Sequence, residues 1–292
     1  MKKLLSPAVF LLGVFHTFAA SAAYVGMATP WETDLQPPVT PVMDRLYAIH
    51  NYLLLPIITA VAVFVLLLLF YICLRYNKKR HPVPSKTTHN TRLEIIWTVI
   101  PILILVVIAI PSLRIHYYMQ RIVNPDLTVK VTGYQWYWHY DYPDNGGFGY
   151  DSYILKGKDL KPGAIRQLSV DHPMVVPVNT KVRVLITGAD VIHSWSVPSF
   201  GVKRDAVPGR LNDTWLAADR TGTFYGQCSQ LCGVGHGFMP IEVKVVTRDD
   251  YNEWVKQQQK KAGITVAPAA AAAPAEETKK PEPVAKPEEP KP

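Results

Sequence analysis

Residues 226–240 read GQCSQLCGVGHGFMP. That stretch holds Cys228, Cys232, His236 and Met239, all side chains that ligate metals through sulfur or imidazole nitrogen. It lies between GTFYGQ at 222–227 and IEVKVV at 241–246, short segments with the alternation and the β-branched and aromatic content of half-buried strands. LTVKVTGYQWYW at 127–138 and KVRVLIT at 181–187 have the same character, and no helical period runs through the region. Residues 122–248 are therefore expected to form one all-β sandwich or barrel, a size of about 120 residues at which a single core is normal. His193 follows the strand at 181–187, so two loops at strand ends of a rigid scaffold can hold ligands at fixed separations.

His193, Cys228, Cys232, His236 and Met239 are more side-chain ligands than one tetrahedral ion uses. Two thiolates can each bridge two metals, leaving each metal one imidazole and one weak further ligand, and thiolate, imidazole and thioether together favour copper. Two other readings compete. Cys228 and Cys232 could close a disulfide in an oxidising compartment, or Cys228, Cys232, His193 and His236 could bind zinc, which leaves Met239 without a role.

Ahead of the β region the chain is of another kind. Lys2 and Lys3, an apolar run and then small residues make residues 1–23 a secretory signal peptide by pattern. Two apolar runs, about 53–74 and 95–115, are long enough to cross a bilayer, the second interrupted by Pro101 and Pro111. The loop between them, RYNKKRHPVPSKTTHNTR, is basic and belongs on the cytoplasmic side, so residues 24–121 form a hairpin with both outer ends across the membrane. Much of the formal charge of +8 sits in the leader and in this loop, which removes the case for nucleic-acid binding. Residues 249–265 read as a C-terminal helix or extension, and 266–292, of Ala, Pro, Lys and Glu, as a disordered tail. Cys73, inside the first span, reads as a packing residue.

GQCSQLCGVGHGFMP, ADVIHSWSVPSFGVKRDAVPGR, GYQWYWHYDY and RLEIIWTVIPILILVVIAIPSLRI look like segments of subunit II of the haem-copper cytochrome c oxidases and stand in that family's order along the chain, which resembles it over about two hundred residues. The resemblance implies a cupredoxin-like β domain after a two-helix transmembrane hairpin, in a bacterial inner membrane with the domain on the periplasmic side. It implies a dinuclear CuA centre, bridged by Cys228 and Cys232, with His193, His236 and Met239 as further ligands and the main-chain carbonyl of Gln230 completing the set. By the same resemblance cytochrome c is the electron donor, subunit I and other oxidase subunits are the partners, and Trp136 receives the electron. Glu94 stands at the mouth of a proton pathway, and Asp141, Asp151, Asp171 and Asp190 fall at or near donor-docking positions.

Many members carry Glu where this chain has Gln230, and there the carboxylate also binds a Mg²⁺ ion shared with subunit I; a neutral amide puts that ion in doubt. No CxxCH motif occurs, so no c-type haem is expected on this chain. A copper-free quinol-oxidase subunit conflicts with the full ligand set, and a soluble nitrous oxide reductase domain conflicts with the two apolar runs.

Overall fold

The computed structural model describes residues 24–122 and 124–264. The signal peptide read at 1–23 and the tail read at 266–292 lie outside the described residues.

Helix α1 (Pro41–Ile49) starts at Thr40, whose hydroxyl accepts from Met43 N at 3.1 Å and donates to Phe200 O at 2.7 Å. A π-turn at His50–Leu54 carries it into α2 (Leu55–Arg75). Helix α3 (Thr91–Gln120) is capped by Asn90, whose Oδ1 accepts from Leu93 N at 3.2 Å. Pro101 and Pro111 lie inside α3. Both long helices are apolar all round and bury almost nothing within this chain, with mean hydropathies of 3.1 and 2.8 over their most apolar windows. Such a helix is stable only against lipid or partner helices, which makes the pair a membrane hairpin.

Both helices run beyond the apolar stretches at 53–74 and 95–115. The first, from Pro41 to Arg75, is 35 residues long, or roughly 52 Å at the α-helical rise, more than a bilayer core requires. Its additional turns are amphipathic rather than apolar, because Val42 and Met43 pack on the β domain while Asp44 and Arg45 face outward. The chain before them is also stitched to that domain. Strand β1 (Tyr24–Gly26) pairs in parallel with residues 222–224, Val39 N donates to Ser199 O, and Asp219 N donates to Val39 O.

The remaining strands are β2 (Leu127–Tyr134), β3 (Tyr137–Tyr142), β4 (Phe148–Ser152), β5 (Met174–Pro177), β6 (Val182–Gly188), β7 (His193–Val197), β8 (Val202–Ala206), β9 (Asn212–Leu216), β10 (Gly222–Gln227) and β11 (Pro240–Val246). They form a five-stranded sheet in the order β4-β3-β2-β6-β9, a four-stranded sheet β1-β10-β11-β5, and the ribbon β7-β8. Alternation along β3, β6 and the first half of β2 sends Val129, Val131, Trp138, Tyr140, Val184 and Ile186 inward, where they meet Met174, Val176, Phe224, Ile241 and Val243 of the facing sheet. Helix α4 (Arg248–Lys261) closes one end, burying Tyr251 and Val255 and setting Trp254 edge-on to Tyr142 and Phe148.

The stretch 127–138 is not a single strand. The chain reverses at Gln135–Trp136 and returns as β3, with Tyr134 opposite Tyr137. The reversal carries no Gly or Asn in its loop, the usual mark of a tight hairpin, so alternation alone runs straight through it. In consequence Trp138 is fully buried, whereas Tyr134 and Tyr137 stack on each other at 4.8 Å on the outer face.

Candidate metal centre

His193 opens β7, and the loop 228–239 joins β10 to β11, so the two lie at the same end of the sandwich. Ser229 N donates to Ser194 O at 3.0 Å and ties the loop to the strand. The sulfurs of Cys228 and Cys232 lie 3.9 Å apart as free thiols rather than a disulfide. Around them are Met239 Sδ, 3.5 Å from Cys232 Sγ; His236 Nδ1, 3.6 Å from the same sulfur; and the Gln230 carbonyl, 3.4 Å from Cys228 Sγ. The ligand atoms of His193, Cys228 and Cys232 lie within 4.8 Å of one another. All the donors read from the sequence therefore converge.

His193 is wholly buried, with Nε2 2.8 Å from an Asp190 oxygen and Nδ1 without a hydrogen-bond partner. A buried ring nitrogen left unpaired in a native fold needs a ligand, and a carboxylate on the other nitrogen fixes the ring as it does in metal sites. The titration of the group points the same way. Burial raises the Cys228 thiol, but the neighbouring His193 ring, the main chain of Gln230 and Ser194, and His236 together outweigh it and bring the pKa down. Cys232 moves up, through burial and the neighbouring charge of Cys228. One thiol ionises readily while the second resists, and a cation between them removes the conflict by replacing the remaining proton. Burial alone lowers the pKa of His193, yet Cys228 and Asp190 on its two sides raise it. Buried sulfur and imidazole donors without a convergent carboxylate ligand suit copper.

Trp136 lies against this loop, its Nε1 donating to Cys232 O at 3.1 Å, and Gln135 Nε2 donates to the same carbonyl at 2.8 Å. The ring rests on Gly235, where an added Cβ would stand 2.7 Å from Cε3 and closer still to Cγ and Cδ2. Trp138, from the buried face of β3, donates to Met239 O at 3.2 Å, so both indoles of the hairpin support the ligand loop.

The four aspartates differ. Asp190 accepts from His193 Nε2, Val191 N and Gln135 N, so it fastens both a candidate ligand and the turn that carries Trp136. Burial pushes its pKa up, but these hydrogen bonds hold it below the ordinary carboxylate value. Asp141 and Asp151 flank His139 at 3.1 and 2.7 Å on the outer face of β3 and β4, and Asp171 accepts from Tyr153 N at 2.8 Å. Glu94 lies in the first turn of α3, where Oε1 accepts from Asn90 N at 3.3 Å. Gln230 has an exposed side chain, and Cys73 is exposed on the hairpin. The supporting roles of Asp190, Gln135 and Gly235 were not read from the sequence. Asp three residues before His193, and Gly immediately before His236, were the only available signals.

The description "Cytochrome C oxidase subunit II, transmembrane domain" matches residues 28–115, and "Cytochrome C oxidase subunit II, periplasmic domain" matches residues 127–246. The chain belongs to the cytochrome c oxidase subunit II family. It is 50% identical over 243 residues to the probable cytochrome c oxidase subunit 2 of Rickettsia felis, covering 83% of this chain and 77% of that protein. It is 46% identical over 255 residues to cytochrome c oxidase subunit 2 of Cereibacter sphaeroides, covering 81% and 84%. Among solved structures, the periplasmic domain of subunit II of cytochrome oxidase from Bradyrhizobium japonicum is 55% identical, covers 48% of this chain and 99% of that one, and superposes with a TM-score of 0.45.

As a subunit II chain, this protein is part of a haem-copper oxidase, an oxidoreductase complex. Two membrane helices and a cupredoxin-like domain make up its architecture, other oxidase subunits are its partners, and electron input through a family CuA centre is its role. Bacterial relatives and the helix pair fit the inner membrane.

Proposed function

We propose that the two coppers of CuA would be held by the thiolates of Cys228 and Cys232, the imidazoles of His193 and His236, the Met239 thioether and the Gln230 carbonyl. The observation that carries this is the meeting of two buried thiols, a thioether and the unpartnered Nδ1 of His193 at one point. When bound, the copper pair would supply a one-electron store. This chain's own residues fix its surroundings. Asp190 orients the His193 ring, and Ser194 and Trp138 pin the two ends of the loop. Trp136 covers the Cys232 main chain and forms the path inward from the donor's face. A site of this kind changes little in geometry between oxidation states because its ligands come from a rigid sandwich. A zinc site is the weaker reading, since it has no use for the buried Met239 sulfur 3.5 Å from Cys232.

The donor in this reading is cytochrome c, whose basic face meets Asp141, Asp151 and Asp171, while Asp190 acts chiefly on His193. The domain and both mature termini lie on the periplasmic side, opposite the basic loop between the helices. Glu94, at the cytoplasmic end of α3, opens a proton path toward subunit I. The Gln230 amide leaves a shared Mg²⁺ weakly held, because hard dications prefer an anionic oxygen.

Copper reconstitution tests the ligand set. Wild type is expected to show the visible and near-infrared bands and the paramagnetic signature of an electron shared evenly between two coppers, and Cys228→Ser or Cys232→Ser is expected to lose them. An evenly shared pair in either variant refutes the assignment. Trp136→Ala is expected to slow electron uptake from bound cytochrome c with little change in KM.

A further inference from the structure

A cavity of about 310 Å³ lies where α3 leaves the membrane and the chain enters the β domain. Its wall is mostly apolar, made by Ile122, Pro125, Val182 and the Trp215 ring. Two cations stand at its rim, Arg121 directly after α3 and Lys181 directly before β6. Neither forms an ion pair among the described residues. Tyr118 lines the same cavity in the last turn of α3, with Trp215 edge-on to it at 5.5 Å and Trp215 Nε1 donating to its carbonyl at 3.4 Å. The guanidinium of Arg45 lies over the Tyr118 ring, 3.6 Å from its centroid, and adds a third positive charge nearby. Asp126, next to Pro125, accepts from the main-chain N of Lys181 at 3.0 Å, and Asp213 pairs with Arg183 at 2.9 Å.

Depth decides the kind of occupant. The apolar part of α3 ends near Ile115, and Tyr117, Tyr118 and Trp215 follow it at the level where aromatic residues gather in membrane proteins. A pocket at that level, apolar inside and cationic at the rim, matches a phospholipid with an acyl chain against the wall and its phosphate at the cations. A zwitterionic headgroup brings its own cation to Arg121 and Lys181, whereas an anionic one does not.

We propose that this cavity is a binding site for one anionic phospholipid of the leaflet facing the β domain, with Arg121 and Lys181 holding the headgroup phosphate and Trp215 and Val182 the chain. The lipid would fill the hinge between the hairpin and the domain and help set the domain's tilt over the membrane.

The test uses the assembled oxidase, purified from a membrane of phosphatidylglycerol and phosphatidylcholine, exchanged into detergent and weighed by native mass spectrometry. Wild type is expected to keep one phosphatidylglycerol more than the Arg121→Gln/Lys181→Gln variant, with phosphatidylcholine not replacing it. Titration with phosphatidylglycerol is expected to show affinity falling about fivefold for each cation removed. Should the double variant fail to assemble, Lys181→Gln alone carries the same comparison with a single fivefold loss. Equal retention in wild type and variant overturns the proposal. So does a photo-cross-linking residue at position 215 that captures another oxidase subunit rather than lipid.

Discussion

Gly235 and Gly237 flank His236 and offer a matched pair of perturbations. A Cβ on Gly235 would stand 2.7 Å from Trp136 Cε3 and nearer still to Cγ and Cδ2, while a Cβ on Gly237 meets nothing within 4 Å. Neither glycine has a positive φ, so alanine is not strained by the backbone at either position. Carbon atoms settle at roughly 3.5–4.0 Å, so Gly235→Ala must move the Trp136 ring by on the order of 1 Å. The ring is also held by its hydrogen bond to Cys232 O at 3.1 Å, and a shift of that size strains or breaks it. Overpacking of this kind costs about 1–3 kcal/mol, and a misplacement near 1 Å in a reacting array can cost about 10²-fold in rate. Stopped-flow mixing of reduced cytochrome c with each copper-loaded variant separates the effects. Gly235→Ala is expected to slow electron uptake by one to two orders of magnitude with copper content unchanged, and Gly237→Ala to match wild type. Equal rates in the two variants would show that contact between Trp136 and the ligand loop does not govern uptake. A loss of copper in Gly235→Ala alone would show that the glycine serves His236 instead.

Asp190→Asn keeps the shape of the side chain but replaces the carboxylate that orients His193, and apparent copper affinity is expected to fall about 10–100-fold by competition with a chelator; unchanged affinity refutes the positioning role. Glu242 is buried with Oε2 accepting from Val170 N at 2.9 Å, and burial raises its pKa above the ordinary 4.5. The folded state therefore binds its proton more tightly than the unfolded chain, so its contribution to stability is complete below about pH 4.5 and is lost as pH rises through the folded-state pKa. Glu242→Gln, followed by thermal unfolding of the full chain in detergent, should gain on wild type as pH rises from 4.5 toward neutrality, and a constant difference across that range would contradict the assignment. Gln230→Glu should raise Mn²⁺ occupancy in the assembled oxidase, read from the bound-ion resonance, and leave the copper signature unaltered; full occupancy in both would show that the remaining ligands suffice.

The sequence by itself determined which residues are available as metal donors, because a side chain's softness is a property of its atoms, and the spacing of Cys228, Cys232, His236 and Met239 confines four of them to one loop. It determined the membrane hairpin too, since two long apolar stretches have no other stable environment. It determined the faces of β3, β6 and the first half of β2, where period-two alternation separates core from surface. Only the tertiary structure decided what lies far apart in the chain and close in space. The donors gather because β7 brings His193 to a loop more than thirty residues away. The reversal at Gln135–Trp136 sends Trp138 into the core and lays Trp136 on Gly235. Asp190, one surface acid among several by composition, has both carboxylate oxygens committed to His193 and the neighbouring main chain. Composition and periodicity report what each residue prefers from its own neighbours in the chain. Which distant partner satisfies a buried nitrogen or carboxylate depends on how the strands close, and that information is carried by the packed fold.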